Sequence, residues 1–219
     1  MHKSISAPEA ANISRNYRNL FGIEYWQKSL KKFLSQQDNQ GRTPLFVLLG
    51  TKIDSIDLSI LMLDEDEKKK VSGIPDPARV KDNKGRNAVH FFLERLGASC
   101  ESEYDKIKEI ILSLKILCQD VDYALETTDF LGNNALHYAL KFAPYRSLSF
   151  DSEDWIQLFL TDKNLVKRNN LGNVPLYEAQ DRRSFISLFK HMKNKKLLAS
   201  LRNNIANLEL RFFVDKFSL

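Results

Sequence analysis

Few residues of this chain could act as nucleophiles, bases or metal ligands. Its cysteines and histidines are Cys100, Cys118, His2, His90, His137 and His191. A cysteine beside a histidine can form a nucleophilic pair, but no catalytic motif surrounds either cysteine, and Cys118 falls on an apolar helical face where a thiol is usually inert. The acidic run at 64–67 precedes three lysines and is typical of a solvated helix end. The sequence therefore predicts no catalytic residue, no metal site and no cofactor.

Composition narrows the class of protein. The chain has 219 residues and 43% hydrophobic residues, enough to fill a core. No apolar run reaches the roughly eighteen residues of a membrane span, and the polar N-terminus lacks a secretory signal. Two cysteines without a disulfide framework favour a reducing, cytoplasmic location. Only eight Gly and six Pro favour an all-α fold over a many-turned β-sandwich.

Positive charge is concentrated in one segment. Residues 163–202 hold ten Lys or Arg against two acidic residues, a net charge of +8 in a chain whose total is +5. Such a segment can attract nucleic acid or anionic lipid, and a solvated helix face explains it as well. Both interpretations stay open from the sequence.

Four segments of the chain share one pattern, Asp or Asn, two variable residues, Gly, two further residues, Pro or Ala, Leu or Val, and His, Phe or Tyr. The segments begin at Asp38, Asp82, Asp129 and Asn169, and their glycines are 44, 47 and 40 residues apart. Asp or Asn followed by Gly forms a turn, and Pro or Ala suits a first helical position. Each segment therefore predicts a turn followed by a helix.

These segments resemble the ankyrin repeat, in which a β-turn precedes T-P-L-H-x-A and two helices. The resemblance implies an all-α fold, an α-solenoid of about four repeats over 38–192 that start near 38, 82, 129 and 169. Residues 1–37 would form an N-terminal helical cap, carrying an amphipathic helix with Tyr25, Trp26, Leu30, Phe33 and Leu34. Residues 193–219 would form a C-terminal capping helix, because the ends of a solenoid must be covered.

The repeats are degenerate. The family's Thr is kept only as Thr43, and its His only as His90 and His137. The long spacings require inserted loops, at 68–81, 97–103 and 143–152. Apolar periodicity predicts second helices at 56–63 and at 107–118. It also predicts a helix that is capped by Asp151 or Ser152 and carries Trp155, Ile156, Phe159 and Leu160, and another that follows Ser184. The resemblance also implies that both histidines are structural and bond to an adjoining turn.

Ankyrin proteins bind partners along the concave surface formed by turn tips and first helices, and the resemblance carries that role to this chain. The implied partner-binding residues are Arg42, Lys84, Arg86, Arg95, Phe130, Leu131, Asn133, Phe142, Leu171 and Arg182. Apolar residues at turn tips are unusual and mark a binding surface or packing against a neighbouring turn. Apolar anchors with a cationic rim would suit an acidic or apolar-anchored protein surface.

The sequence thus predicts a monomeric, non-enzymatic protein-interaction module without a transmembrane segment. The alternative is an anionic-ligand module that binds nucleic acid or phospholipid through residues 163–202. Degenerate repeats in a Lys-, Asn-, Ile- and Phe-rich chain resemble bacterial effectors delivered into the host cytosol. The ending Phe217-Ser-Leu219 resembles the C-terminal signals of type IV secretion substrates.

Overall fold

The structure, a computed structural model, describes residues 22–51, 76, 78–98, 108, 110–114, 121–142 and 158–179. Within these ranges every regular element is helical and no strand occurs. The expected all-α class is therefore confirmed for this part of the chain. No helix described there combines the length and apolar character needed to cross a bilayer.

The elements follow one another as short helices. They are α1 (Ile23–Ser35), α2 (Pro44–Leu49), α3 (Ala88–Ala98), α4 (Val121–Glu126), α5 (Ala135–Phe142), α6 (Asp162–Val166) and a 3-10 turn (Pro175–Glu178). Residues 110–114 are also helical. Helix α2 packs on α1 and α3, α3 packs on α5, and α5 packs on the 3-10 turn. Packing therefore proceeds in chain order, and one hydrophobic core runs from Leu30 to Leu176.

Helix α1 is the amphipathic helix expected before the first turn. Leu30 and Leu34, one helical turn apart, are buried, and Phe33 packs at the edge of the core. Tyr25 was expected on the same apolar face and is instead 62% exposed. At 100° per residue it lies about half a turn away from Leu34. The side chain of Trp26 lies outside the described residues.

The Leu or Val position of the shared pattern is buried in all four segments, as Leu45, Val89, Leu136 and Leu176. Pro44 and Pro175 each stand at the start of a helical element, where a missing N–H leaves no hydrogen bond unmade. The element after Pro175 is a four-residue 3-10 turn, whereas the pattern predicted an α-helix there.

Second helices are described only in part. Ile110, Ile111 and Leu114 are helical and buried, which confirms the predicted apolar stripe at these three positions; residues 107, 109 and 115–118 lie outside the described residues. Farther along, Phe159 is buried, but a new helix, α6, begins only after Thr161, whose side chain accepts a hydrogen bond from Asn164 N. The predicted helices at 56–63 and after Ser184, the start of the helix near residue 151, and the cap at 193–219 lie outside the described residues.

Four turns of the same geometry precede the first helices: turn 1 (38–42), turn 2 (82–86), turn 3 (129–133) and turn 4 (169–173). In turn 2, Asp82 Oδ1 accepts hydrogen bonds from the backbone N–H groups of Lys84 and Arg86, both at 2.9 Å. Asn169 Oδ1 makes the same two contacts in turn 4, at 3.0 Å. An Asp or Asn side chain therefore folds each turn through the same oxygen.

The turns are joined to one another by a ladder of hydrogen bonds. The second residue of each turn donates its backbone N–H to the carbonyl of the third residue of the turn before it, in the pairs Asn83 to Gln40, Phe130 to Lys84 and Asn170 to Leu131, at 2.8–3.0 Å. The backbone groups of the ladder are thus satisfied within the protein, which fixes the spacing of the turn tips.

Asparagine and histidine side chains tie turns 2 and 3 to the helices behind them. Asn134 Nδ2 donates to Asn164 O in α6 at 2.9 Å, and Asn134 Oδ1 accepts from His137 N at 3.1 Å. Asn87 makes the equivalent bonds, to Ala124 O in α4 and from His90 N. Asn therefore takes the place of the Thr expected at this position and adds a bond to the neighbouring helix.

Gly132 and Gly172 allow a test of the ladder. Both have positive φ, +80° and +81°, but a Cβ on Gly132 would lie 2.9 Å from Asn170 N, whereas a Cβ on Gly172 would meet nothing within 4 Å. We expect Gly172→Ala to cost about 1–2 kcal/mol, from backbone strain alone. Gly132→Ala is expected to cost about 3 kcal/mol because turn 4 must also move. Urea unfolding measures both values, and equal losses would contradict the ladder.

Candidate functional site

A groove of about 460 Å³ lies between turns 2 and 3 and the helices behind them. Lys84, Phe130 and Leu131 line it from the turns, and Lys141 and Phe142 line it from α5. Its volume falls within the range of pockets that bind small molecules or side chains. The groove brings together five of the ten predicted binding residues, namely Lys84, Phe130, Leu131, Asn133 and Phe142.

Large apolar side chains project from the turn tips. Phe130 is 68% exposed, Leu131 66% and Leu171 83%. The sequence left open whether these side chains pack on a neighbouring turn or face solvent. Phe130 does both, because its ring also lies against the Cα of Gly85, where a Cβ would come within 2.5 Å of Phe130 Cδ1.

Phe130 interrupts a row of asparagines. Asn83 Nδ2 donates to Asn39 O at 3.0 Å, and Asn170 Nδ2 donates to Phe130 O at 2.9 Å, so an Asn at the second position of a turn adds a side-chain bond to the ladder. A phenyl ring cannot make the corresponding bond to Asn83 O. Turn 3 therefore lacks one hydrogen bond of the ladder and carries an exposed aromatic ring in its place.

Arg86 was predicted to belong to a cationic rim of the binding surface, and the structure corrects this prediction. This residue is only 5% exposed. Its guanidinium contacts Asp82 Oδ2 at 2.5 Å and also forms an ion pair with Glu94, and it lies over the ring of Phe91. Arg86 lies between the carboxylates of Asp82 and Glu94 at the base of turn 2. The sequence pattern did not indicate this buried position.

Arg42 and Arg95, two more of the predicted binding residues, also lie outside the groove lining. Arg42 binds Asp38 Oδ2 through Nε at 2.9 Å and through its terminal nitrogen at 2.7 Å, and these hydrogen bonds lower the pKa of Asp38 below its usual value. Arg95 donates to Gly50 O at 3.3 Å. Arg182 lies outside the described residues, and the exposed Leu171 is not part of the groove lining.

Two lysines supply the unpaired positive charge of the groove. Lys84 and Lys141 are exposed and line it. Lys141 Nζ lies 5.3 Å from the centre of the Phe142 ring. Within the described part of the chain, neither ammonium group forms an ion pair with a carboxylate. Of the cations that the sequence assigned to the binding surface, Lys84 therefore lines the groove, whereas Arg42, Arg86 and Arg95 do not.

The carboxylates of the groove are mostly engaged. Glu94 is paired with Arg86. Asp129 accepts hydrogen bonds from the backbone of Leu131 and Asn133 and from the hydroxyl of Tyr138, which lies 2.8 Å from its Oδ2. Burial, together with this hydrogen bond, raises the pKa of Tyr138 far above its usual value. The carboxylates of Glu94 and Asp129, which form the floor of the groove, thus have their hydrogen-bond and ion-pair partners within the protein.

Both described histidines are structural parts of the turns. His90 and His137 are buried, and their Nδ1 atoms lie 2.6 and 2.7 Å from Asn87 Oδ1 and Asn134 Oδ1. Burial lowers the pKa of each ring to about 4, from an ordinary value of 6.5. Cys100 and Cys118 lie outside the described residues. Among the residues described, no three His, Cys, Asp or Glu side chains form a group that could hold a metal ion.

Sequence reasoning missed several residues of the groove. Asp129 and Tyr138 line it, but Asp129 was assigned only to its turn and Tyr138 had no assigned role. The aligned turns read Asn, Asn, Phe, Asn at the second position, which singles out Phe130 but gives no signal for Asp129 or Tyr138. Glu178 also lines the groove, and only the packing of the 3-10 turn on α5 brings it there.

Comparison with protein-family profiles, with curated proteins and with solved structures finds no match to this chain.

Proposed function

We propose that this protein is a non-enzymatic protein-interaction module built as a solenoid of degenerate ankyrin repeats, and that it binds its partner as a monomer through the groove and the adjoining turn tips. The exposure of Phe130, Leu131 and Leu171 carries the proposal, because exposed apolar surface on a soluble fold is typical of a binding surface. The repeated turns, the chain-order packing of the helices and the buried Asn and His residues support the ankyrin-like architecture.

The ladder explains why these side chains suit recognition. The backbone of turn 3 is bonded on both sides, by Phe130 N to Lys84 O and by Asn170 N to Leu131 O. The turn tips are therefore held in place before a partner arrives. A preformed surface loses little conformational entropy on binding, so more of the contact energy contributes to affinity.

Phe130→Asn tests this function because it removes the ring and restores the asparagine found in turns 1, 2 and 4. We expect the melting temperature to change by less than about 2 °C, since the new amide can donate to Asn83 O. Partner affinity is expected to fall by roughly thirty-fold or more, the loss typical of removing an aromatic hot spot. Affinity capture from eukaryotic lysate, followed by titration of the captured protein, measures the effect.

The control is Tyr25→Gln, which removes another exposed aromatic residue on α1, away from the groove. It should leave capture unchanged. Capture is repeated at low and high salt, because nucleic acid or lipid bound through residues 163–202 would be lost at high salt. A salt-sensitive nucleic acid or lipid that is captured equally by wild type and Phe130→Asn would overturn the proposed groove and favour the basic segment.

The structure describes only residues 163–179 of that basic segment. Lys163 Nζ lies 3.3 Å from Glu126 Oε2, and Arg168 donates to Gly172 O at 2.6 Å. Part of its charge is therefore already engaged, and the groove remains the better-supported site.

The proposed setting is that of a bacterial effector acting on a host protein in the host cytosol. It rests on the degenerate repeats and on the Lys-, Asn-, Ile- and Phe-rich composition of the chain. A translocation reporter fused to the chain tests this setting, and failure to reach the host cytosol through a working type IV system would contradict it.

A further inference from the structure

We propose that the groove takes an extended segment of the partner protein in which a large apolar side chain is flanked by Asp or Glu. This inference rests on the proposed function and specifies the chemistry of its ligand. Phe130, Leu131, Phe142, Lys84 and Lys141 determine that chemistry.

The apolar part of the ligand follows from the walls. Phe130 and Leu131 stand on the turn side and Phe142 on the helix side, and Tyr138 and Phe142 have their ring centres 5.5 Å apart. A groove of about 460 Å³ between such walls accommodates one large side chain. Aromatic and aliphatic groups gain most from this environment, since they bury apolar surface against Phe130 and Leu131, which are otherwise exposed.

The ligand is recognised through side chains and not by extension of the ladder. The backbone groups that link turns 2 and 3 are bonded to each other, as in Phe130 N to Lys84 O. The floor carboxylate, Asp129, already accepts bonds from the backbone of Leu131 and from Tyr138. A polar ligand would therefore find few unsatisfied partners at the base of the groove.

The acidic residues expected beside the apolar anchor of the ligand follow from the distribution of charge around the groove. Lys84 on the turn side and Lys141 on the helix side carry ammonium groups without an acidic partner in the described residues. The opposing carboxylates are restrained, because Glu94 is held by the buried Arg86 and Glu178 lies within 3.5 Å of Asn169 Nδ2. Carboxylates beside the apolar anchor would pair with the lysines and speed association.

A random twelve-residue peptide library displayed on phage, selected on the full chain, tests the proposal. We expect enriched peptides to carry Trp, Phe, Tyr or Leu with Asp or Glu within about three positions, and selection on Phe130→Asn to enrich none of them. Enrichment of neutral or basic peptides would overturn the proposal, and so would failure to enrich any peptide.

A synthetic copy of the most enriched peptide is then titrated against two double variants. We expect Lys84→Glu with Lys141→Glu to weaken binding by about ten-fold or more. Lys28→Glu with Lys31→Glu makes the same change in net charge on α1 and should leave affinity unchanged. Equal weakening by both pairs would show only a dependence on total charge and would overturn the assigned ligand.

The two experiments distinguish failure of the proposed function from failure of the assigned ligand. If lysate capture still depends on Phe130 but no acidic peptide is selected, the interaction function stands and the assigned ligand is wrong. If neither experiment depends on Phe130, both are wrong.

Discussion

Acidification from pH 7 to pH 4.5 is expected to destabilise this protein strongly. His90 and His137 are buried, and burial lowers the pKa of each to about 4 from 6.5. Above pH 6.5 both rings are neutral in the folded and the unfolded chain. Between pH 6.5 and about 4 the unfolded chain binds protons that the folded protein excludes, so folding stability falls as the pH falls.

The size of this effect follows from the pKa values. At 1.36 kcal/mol per pH unit, each ring removes roughly 3 kcal/mol by pH 4, and the two together remove roughly 6 kcal/mol. A typical domain has about 5–15 kcal/mol of stability in all. Urea unfolding followed by circular dichroism, in steps from pH 7.5 to 4.5, measures the slope.

A double variant separates the effect of the two histidines on stability from the effects of other groups that bind protons in acid. His90→Gln with His137→Gln has lower stability at neutral pH, since the ring contacts are lost, but its stability should vary much less between pH 6.5 and 4.5. The carboxyl of Asp38 has its pKa lowered by Arg42, so its contribution is lost only below its ordinary value near 3.8. Equal pH slopes for the variant and the wild type would contradict the neutral, buried state of the rings.

Arg86→Met is expected to destabilise the fold by about 3–5 kcal/mol, because it leaves a buried carboxylate without its cation. Asp82 and Arg86 have side chains that are only 2% and 6% exposed, and Glu94 loses the same partner. Methionine fills much of the volume, so the loss reports the unpaired charge more than a cavity. Chemical denaturation at pH 7 measures it.

Arg42→Met provides the matched control. Arg42 and Asp38 occupy the same positions in turn 1 and form the same two-nitrogen contact, but their side chains are 32% and 35% exposed. Exposed pairs contribute about 0–1 kcal/mol and weaken with salt. We therefore expect a small, salt-sensitive loss at Arg42 and a large loss, little affected by salt, at Arg86. Similar losses would show that burial does not distinguish the two pairs.

The local elements could be predicted because their causes are local. An Asp or Asn three residues before a Gly forms each turn through contacts within five residues, and the structure places all four turns where the pattern predicts them. Helical periodicity placed Leu30, Leu34, Ile110, Ile111 and Leu114 on buried faces, and they are buried. Ends of helices were less predictable: periodicity placed Leu160 in a helix, whereas the structure has Leu160 outside any helix and begins α6 at Asp162.

The site was predicted in part. Aligning the turns located Phe130 and Leu131 at turn tips, because a tip position is defined by its own turn, but only the structure showed that both side chains are exposed. The prediction of a cationic rim was wrong at Arg86. The alignment gives Arg42 and Arg86 the same position, but only Arg86 is covered by neighbouring elements. Lys141 and Glu94, which occupy equivalent positions in α5 and α3, line the groove through the contact of their helices.

By itself the sequence determined the four turns, the helical class of the described residues and the apolar tips, because each depends on contacts between residues close in the chain. Tertiary structure alone decided which charges are buried, how the turns are joined and where the groove lies. Those features depend on atoms about forty residues apart, as in the bonds from Asn83 to Gln40 and from Asn170 to Leu131, and burial is set by neighbours that local spacing does not specify.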